Sequence, residues 1–274
     1  MGGTAVTHLE HGVACKQGRA RDAVLRPIDG RDELALCETP GGAAGRANAL
    51  LKRVLVRLGP IDSVSIEHVR ALVLGDREQL LFRLNALSFG PSMDVAAMCP
   101  NAECGEPLDI DVDLDVLADA ASQQDDTSAA PVARLDGRAF AIRPLTGGDL
   151  ECVAALAAED PDAAAARLVE TCVGEPARSG DGRLRAAVAE GLVAFDRRAE
   201  TIVHATCPNC GAQAPLLVDA GALVLDRMAG KRRLLREVHI IARAYHWPEA
   251  DILALPLERR RAYLDLVQDT ELEE

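Results

Sequence analysis

Two short stretches carry the residues best suited to chemistry: Cys99-Pro-Asn-Ala-Glu-Cys104-Gly and Cys207-Pro-Asn-Cys210-Gly. Thiolate sulfur is a soft donor, and a gap of two to four residues lets both sulfurs of one turn face the same tetrahedron. The glycine after each second cysteine, Gly105 or Gly211, can take the positive φ that turns backbone N–H groups toward sulfur. Two such turns supply four sulfurs, the donor set of a closed structural zinc site with no position for water or substrate. A redox pair and metal-free buried thiols are the alternatives. A redox CxxC opens a helix, whereas the GAQAPLLVD that follows Cys210 reads as turn and strand. His204, three residues before Cys207, is read as an ordinary strand residue because four cysteines already complete a shell. Cys15, Cys37, Cys152 and Cys172 are scattered singly and read as small buried hydrophobes or incidental thiols.

The elements that would position the cysteines occur twice. AVLRPIDGRDELAL at 23–36 and AFAIRPLTGGDLEC at 139–152 align on Arg26-Pro27 and Arg143-Pro144. Helical segments follow each (ANALLKRVLVRLG and DAAAARLVETCVG), then a strand-like approach to the cysteines, then an exit strand (PLDIDVDLDVL and APLLVDAGALVL). From Arg to first Cys the spacing is 73 positions in one copy and 64 in the other. The expected fold is α+β: an internally duplicated helix plus β-hairpin zinc-knuckle unit, the two copies sharing one zinc, with an all-helical C-terminal extension. The expected divisions are an N-terminal arm at 1–21, repeat 1 at 22–120, a polar linker at 121–133, repeat 2 at 134–229 and the extension at 230–274.

Within repeat 1, DREQLLFRLNALSFG at 76–90 is the strongest helix, with Asp76 and Gln79 as a capping box and Gly90 past its end. In the extension, Leu234, Leu235, Val238, Ile241, Ala242 and Tyr245 form one apolar stripe, and Pro248 and Pro256 suit the first positions of two further helices. The runs KRR at 231–233 and RRR at 259–261 lie in helical patterns and read as solvated faces. The acidic end, QDTELEE, is expected to fray.

Hydrophobic residues are 49% and charged residues 27%, an ordinary globular balance, while aromatics are only 3%, so the core must be Leu, Val and Ala. A net charge of -13 repels phosphate backbones. The opening residues lack an apolar signal core, and no run approaches the ~18 apolar residues of a spanning helix. The expectation is a protein made in the cytoplasm, without membrane insertion or nucleic-acid binding. Phosphate loops, GxGxxG, HExxH and GxSxG are absent, and the DIDVDLD run at 109–115 alternates as a half-wet strand does. Enzyme activity is not expected.

LVLGDREQLLFRLNALSFG running into CPNAECGEPLDIDVDL resembles the zinc-knuckle baseplate proteins of T-even-type phages and of phage-tail-like contractile injection systems. The closing EVHIIARAYHWPEADILALPLERRRAYLDLV is similar to the last helices of longer members. The likeness covers 65–117 and 199–268; the first knuckle departs from it, with four residues between its cysteines where the family usually has two. Carried over by position, Cys99, Cys104, Cys207 and Cys210 match the family's cysteines. The resemblance implies a non-enzymatic baseplate component with hub, spike, wedge or tube-initiator subunits as partners, ending within a particle that can be released from the cell. Leu234, Val238, Ile241, Tyr245 and Trp247 are the expected partner-facing residues. An assembly chaperone absent from the finished particle and a zinc-ribbon nucleic-acid-binding regulator are the rival readings.

Overall fold

The computed structural model describes residues 3–119, 130–173, 181–228 and 230–273. The expected linker lies outside these over 121–129. The chain is mixed α+β, built from small antiparallel sheets, connecting helices and a helical C-terminal region.

Strands β1 (Ala5–Cys15), β2 (Gly18–Leu25) and β3 (Leu55–Leu58) form one antiparallel sheet. Helices α1 (Gly30–Glu38), α2 (Ala43–Val54), α3 (Ile66–Arg70) and α4 (Leu74–Phe89) fill the span to the first knuckle. That knuckle is the hairpin β4 (Ser92–Met98) and β5 (Pro107–Asp113), closed by the short α5 (Leu114–Asp119). A second hairpin, β6 (Val132–Leu135) and β7 (Arg138–Ala141), leads to α6 (Gly147–Glu159), α7 (Pro161–Val173) and α8 (Gly182–Phe195). Then come the second knuckle hairpin, β8 (Ile202–Thr206) and β9 (Gln213–Leu217), and α9 (Ala220–Arg227). Helices α10 (Lys231–Tyr245), α11 (Glu249–Leu253) and α12 (Leu257–Glu273) complete the fold.

Several expectations change here for physical reasons. The opening segment is no peripheral arm: β1 carries Leu9 and Val13 into the main core, and a boundary at 22 cuts through β2. The segment LVRL at 55–58 does not extend α2, which ends at Val54; it pairs with β2 as β3 instead. Both exit strands stop after five to seven residues and turn into α5 and α9. Asp76 does not cap a helix. Helix α4 starts two residues earlier, and the Asp76 carboxylate accepts the N–H groups of Glu10 (2.9 Å), His11 (3.2 Å) and Gly12 (2.7 Å). These donors lie where β1 breaks register between His8 and Val13, so the carboxylate satisfies a bulge the sheet leaves unpaired. Gly12 sits at φ 61°, where an added Cβ would lie 2.4 Å from the Ala20 carbonyl oxygen.

The two Arg-Pro segments adopt the same local structure. Arg26 grips Asp32 through two bonds (2.6 and 3.0 Å) and donates to the Pro27 carbonyl; Arg143 does the same to Asp149 (2.9 and 2.8 Å) and Pro144. In each, the aspartate also closes a capping box, with Asp29 at α1 and with Thr146 at α6. Thr146 in turn bridges Val73, and Asp29 bridges Pro256. Val73 and Pro256 occupy like places, each between two leucines that follow a five-residue helix and open a long one. Four residues on, Arg77 and Arg260 are both buried.

Asp32 is the more buried of the two aspartates and also takes the Nε donor of Arg53 (2.8 Å). Burial alone would raise its carboxyl, but the paired guanidinium of Arg26, with Arg53, more than offsets this and holds it below the usual range. Its stabilisation is therefore present above pH of about 4 and lost as pH falls through the lowered folded value. Asp32→Asn is expected to cost about 2 kcal/mol at pH 7, with the gap from wild type closing in acid. Urea unfolding across pH measures this, and a gap that stays constant into acid would contradict it.

The C-terminal helices pack on α1 rather than extend away. Leu234, Val238 and Ile241 are buried with Ile252 and Leu253, and Tyr245, Trp247 and Leu34 pack half-buried against them. The stripe expected to face a neighbour is therefore covered largely by the chain itself. Arg260, in the RRR run read as a solvated face, is wholly buried, where it pairs with Glu33 and with Glu237 (2.8 Å).

Candidate metal centre

Each knuckle is a hairpin tip whose alternation sets its cysteine inward. In β4–β5 the half-buried Met93, Val95 and Ala97 alternate with exposed residues, and β8–β9 repeats this with Val203 and Ala205. The inner faces meet through Leu108, Ala214, Ala97, Ile110 and Ala205, so Cys99 and Cys207 are buried against the opposite hairpin. His204 sits on the exposed face of β8, paired across the hairpin with Pro215.

The turns reach one geometry by different routes. In the second knuckle the Cys207 N–H donates to the Ala212 carbonyl (2.9 Å), and the Gly211 N–H to the Cys207 carbonyl (2.9 Å). In the first, Cys99 bonds the Glu106 carbonyl (2.8 Å) across a longer loop. Asn101 absorbs the two extra residues: its carbonyl accepts from Cys104 (2.9 Å) and Gly105 (3.0 Å), and its side chain accepts from Glu103. Gly105 (φ 58°) and Gly211 (φ 74°) take the left-handed conformation their spacing called for.

The four sulfurs lie within 4.8 Å of one another. Contacts run crosswise, Cys99 to Cys210 at 3.5 Å and Cys104 to Cys207 at 3.9 Å. A tetrahedron with metal–sulfur arms of about 2.3 Å has edges of about 3.8 Å, so these thiols are set for an ion at their centre. They are not set for disulfides, whose sulfurs lie about 2.05 Å apart. The Asn209 side chain donates to Cys104 sulfur (3.3 Å), an outer bond of the kind that orients a ligand. Burial pushes the Cys99 thiol up to about 12, while the Ala212 backbone, with Cys99, draws Cys210 down to about 7. Binding an ion to this set therefore releases protons.

The remaining cysteines are dispersed. Cys172 is buried beside Ile142 and Val188, and burial raises its thiol to about 11; Cys15 and Cys37 are half-buried and Cys152 is exposed. Sequence reasoning missed the polar ties that join residues 48–75 to residues 145–196. Asn48 donates to the Gly147 carbonyl (2.9 Å) and accepts from Arg77 (2.9 Å), Arg70 grips Glu151 (2.7 Å), and the Gly75 N–H donates to Asp196 (2.8 Å). Backbone bonds add to these, Gly147 to Leu72 (2.9 Å) and Leu74 to Leu145 (3.3 Å). Single polar residues at irregular spacing leave no periodic signal to find them by.

These features define a mixed α+β protein in which two hairpin tips assemble a four-cysteine cluster able to hold a metal ion. No protein-family model matches the chain, and neither a curated protein nor a solved structure is significantly similar to it. Among the described residues, no helix is long and apolar enough to cross a membrane.

Proposed function

We propose that this protein is a non-enzymatic structural component of the baseplate of a contractile phage-tail-like particle, held together by one zinc ion shared between two duplicated halves. The observation that carries the reading is the crosswise meeting of the two knuckles, since a site with two thiols from each hairpin serves to fix those hairpins to each other. Zinc is the metal of choice because four thiolates at tetrahedral spacing suit zinc or an iron–sulfur centre, and short CPxCG-like turns are the zinc form. The matching Arg-Pro-x-x-Gly-x-Asp structures, in the same order relative to each knuckle, favour duplication. The baseplate assignment rests on the sequence resemblance, with docking to hub, spike, wedge or tube-initiator subunits following from it.

Mass spectrometry of sheath-containing particles purified from the producing cells tests the reading. Presence in fixed low stoichiometry to sheath and tube subunits is the expected result. Absence from mature particles, with particle formation lost on deletion of the gene, would make the protein an assembly chaperone instead.

A further inference from the structure

A shallow cleft of about 170 Å³ opens where the two halves meet, between the starts of α2 and α9. Ligand pockets for small molecules run from roughly 300 Å³ upward, so the cleft suits one long side chain better than a metabolite. Its charged lining is mainly acidic: Glu78, Glu200 and Asp219, against Arg77, which is already bound to Glu78 (2.6 Å). Its rim is apolar. Leu217 borders it with 69% of its surface exposed, and Ile202, its partner across the β8–β9 ladder, is 50% exposed. Such a surface fits a cationic side chain whose alkyl stem lies on leucine while its head meets carboxylates.

The same chain presents the complement. Helix α10 carries Lys231, Arg232, Arg233, Arg236 and Arg243 against one acid, Glu237. Lys231 pairs with Glu38 and Arg233 with Glu237. Arg232, Arg236 and Arg243 are exposed, and among the described residues none forms an ion pair. Arg232 and Arg236 lie one turn apart on the outward face, and Leu235 beside them is 43% exposed.

We infer that copies of this chain associate head to tail, with Arg232, Leu235 and Arg236 of one copy seated on the Glu78–Glu200–Leu217 cleft of the next. The two surfaces are distinct, so the contact is heterologous and builds a ring or a filament rather than a closed dimer. Burial holds the Glu78 carboxyl up to about 7, and an arriving guanidinium would favour its ionised form. The inference does not depend on the baseplate reading.

Sedimentation velocity of the full chain, at tens of micromolar in about 50 mM and about 500 mM salt, tests it. Expected is association beyond the dimer at low salt, weakened roughly tenfold at high salt. Arg232→Glu with Arg236→Glu, and separately Leu217→Lys, should each give monomers with unchanged metal content and circular dichroism. Mixed together, these two variants retain one intact contact and should form a dimer and nothing larger. A monomeric wild type would overturn the inference, including one whose α10 face binds duplex DNA or an acidic protein instead. So would variants that assemble as wild type does, or a mixture that stays monomeric.

Discussion

Cys207→Ser is expected to leave the purified protein without tightly held zinc and to lower its melting temperature by on the order of 10 °C. A structural zinc supplies on the order of 10 kcal/mol of apparent binding free energy. Closing the 102 residues between Cys104 and Cys207 would cost several kcal/mol in a chain held nowhere else. Here the halves are already joined through Gly147, Leu145, Asn48 and Glu151, so that entropy is spent by the surrounding fold and the ion's contribution falls on the hairpins. Two-stranded hairpins are marginal by themselves, and the apolar contact between these two amounts to Leu108, Ile110 and a few alanines. Loss of metal should therefore open the cysteine-bearing tips of β4–β5 and β8–β9, while their bases, held on the main core by Val112, Met93, Val95 and Val203, stay folded. Elemental analysis, thermal unfolding with and without chelator, and hydrogen exchange at the hairpins read this out. Cys152→Ser, exposed and away from the cluster, should keep one zinc per chain. One equivalent of zinc retained by Cys207→Ser would defeat the assignment of that thiol.

The cluster was legible in the sequence because its signal is local: two thiols, a proline and a glycine within a few residues at each tip, with strand alternation leading in and out. The Arg-Pro segments were legible for the same reason, since the arginine, the helix start and its aspartate fall within seven residues. What the sequence concealed depends on partners far along the chain. Asp76 looks like a helix cap because aspartate before a leucine-rich run is one nearly everywhere; only the bulge at Glu10–Gly12, more than sixty residues away, claims it. The apolar stripe of α10 fits a docking face as well as a core face, and nothing in its period says that α1, α11 and α12 cover it. Arg260 sits inside a three-arginine run in which each member looks equally solvated.

Arg260 is the site where removing one side chain should cost most in the helical region. Its Nη2 donates to Glu33 and its Nε to Glu237 (2.8 Å), joining α12 to α1 and to α10; Arg260 and Glu33 are fully buried and Glu237 nearly so. Arg260→Met keeps the apolar stem but takes the guanidinium away from Glu33 and leaves Glu237 with the exposed Arg233 (3.1 Å) alone, a loss of about 3–5 kcal/mol. Replacing all three, as Arg260→Met with Glu33→Gln and Glu237→Gln, removes the charges of this cluster together and should recover more than half of that loss, because the penalty lies in stranded charge. Urea unfolding compares the variants, and hydrogen exchange on α1 and α10–α12 should show the single variant opening there first. Equal stability of the single and triple variants would mean that the arginine contributes packing rather than charge pairing. Arg77, at the like place in α4, is the internal comparison. It is bound to the neutral Asn48 (2.9 Å) as well as to Glu78 (2.6 Å), so Arg77→Met takes a cation from one carboxylate, less deeply buried than Glu33, instead of from two. It should cost correspondingly less, and a reversed order would show that the two sites do not share one design.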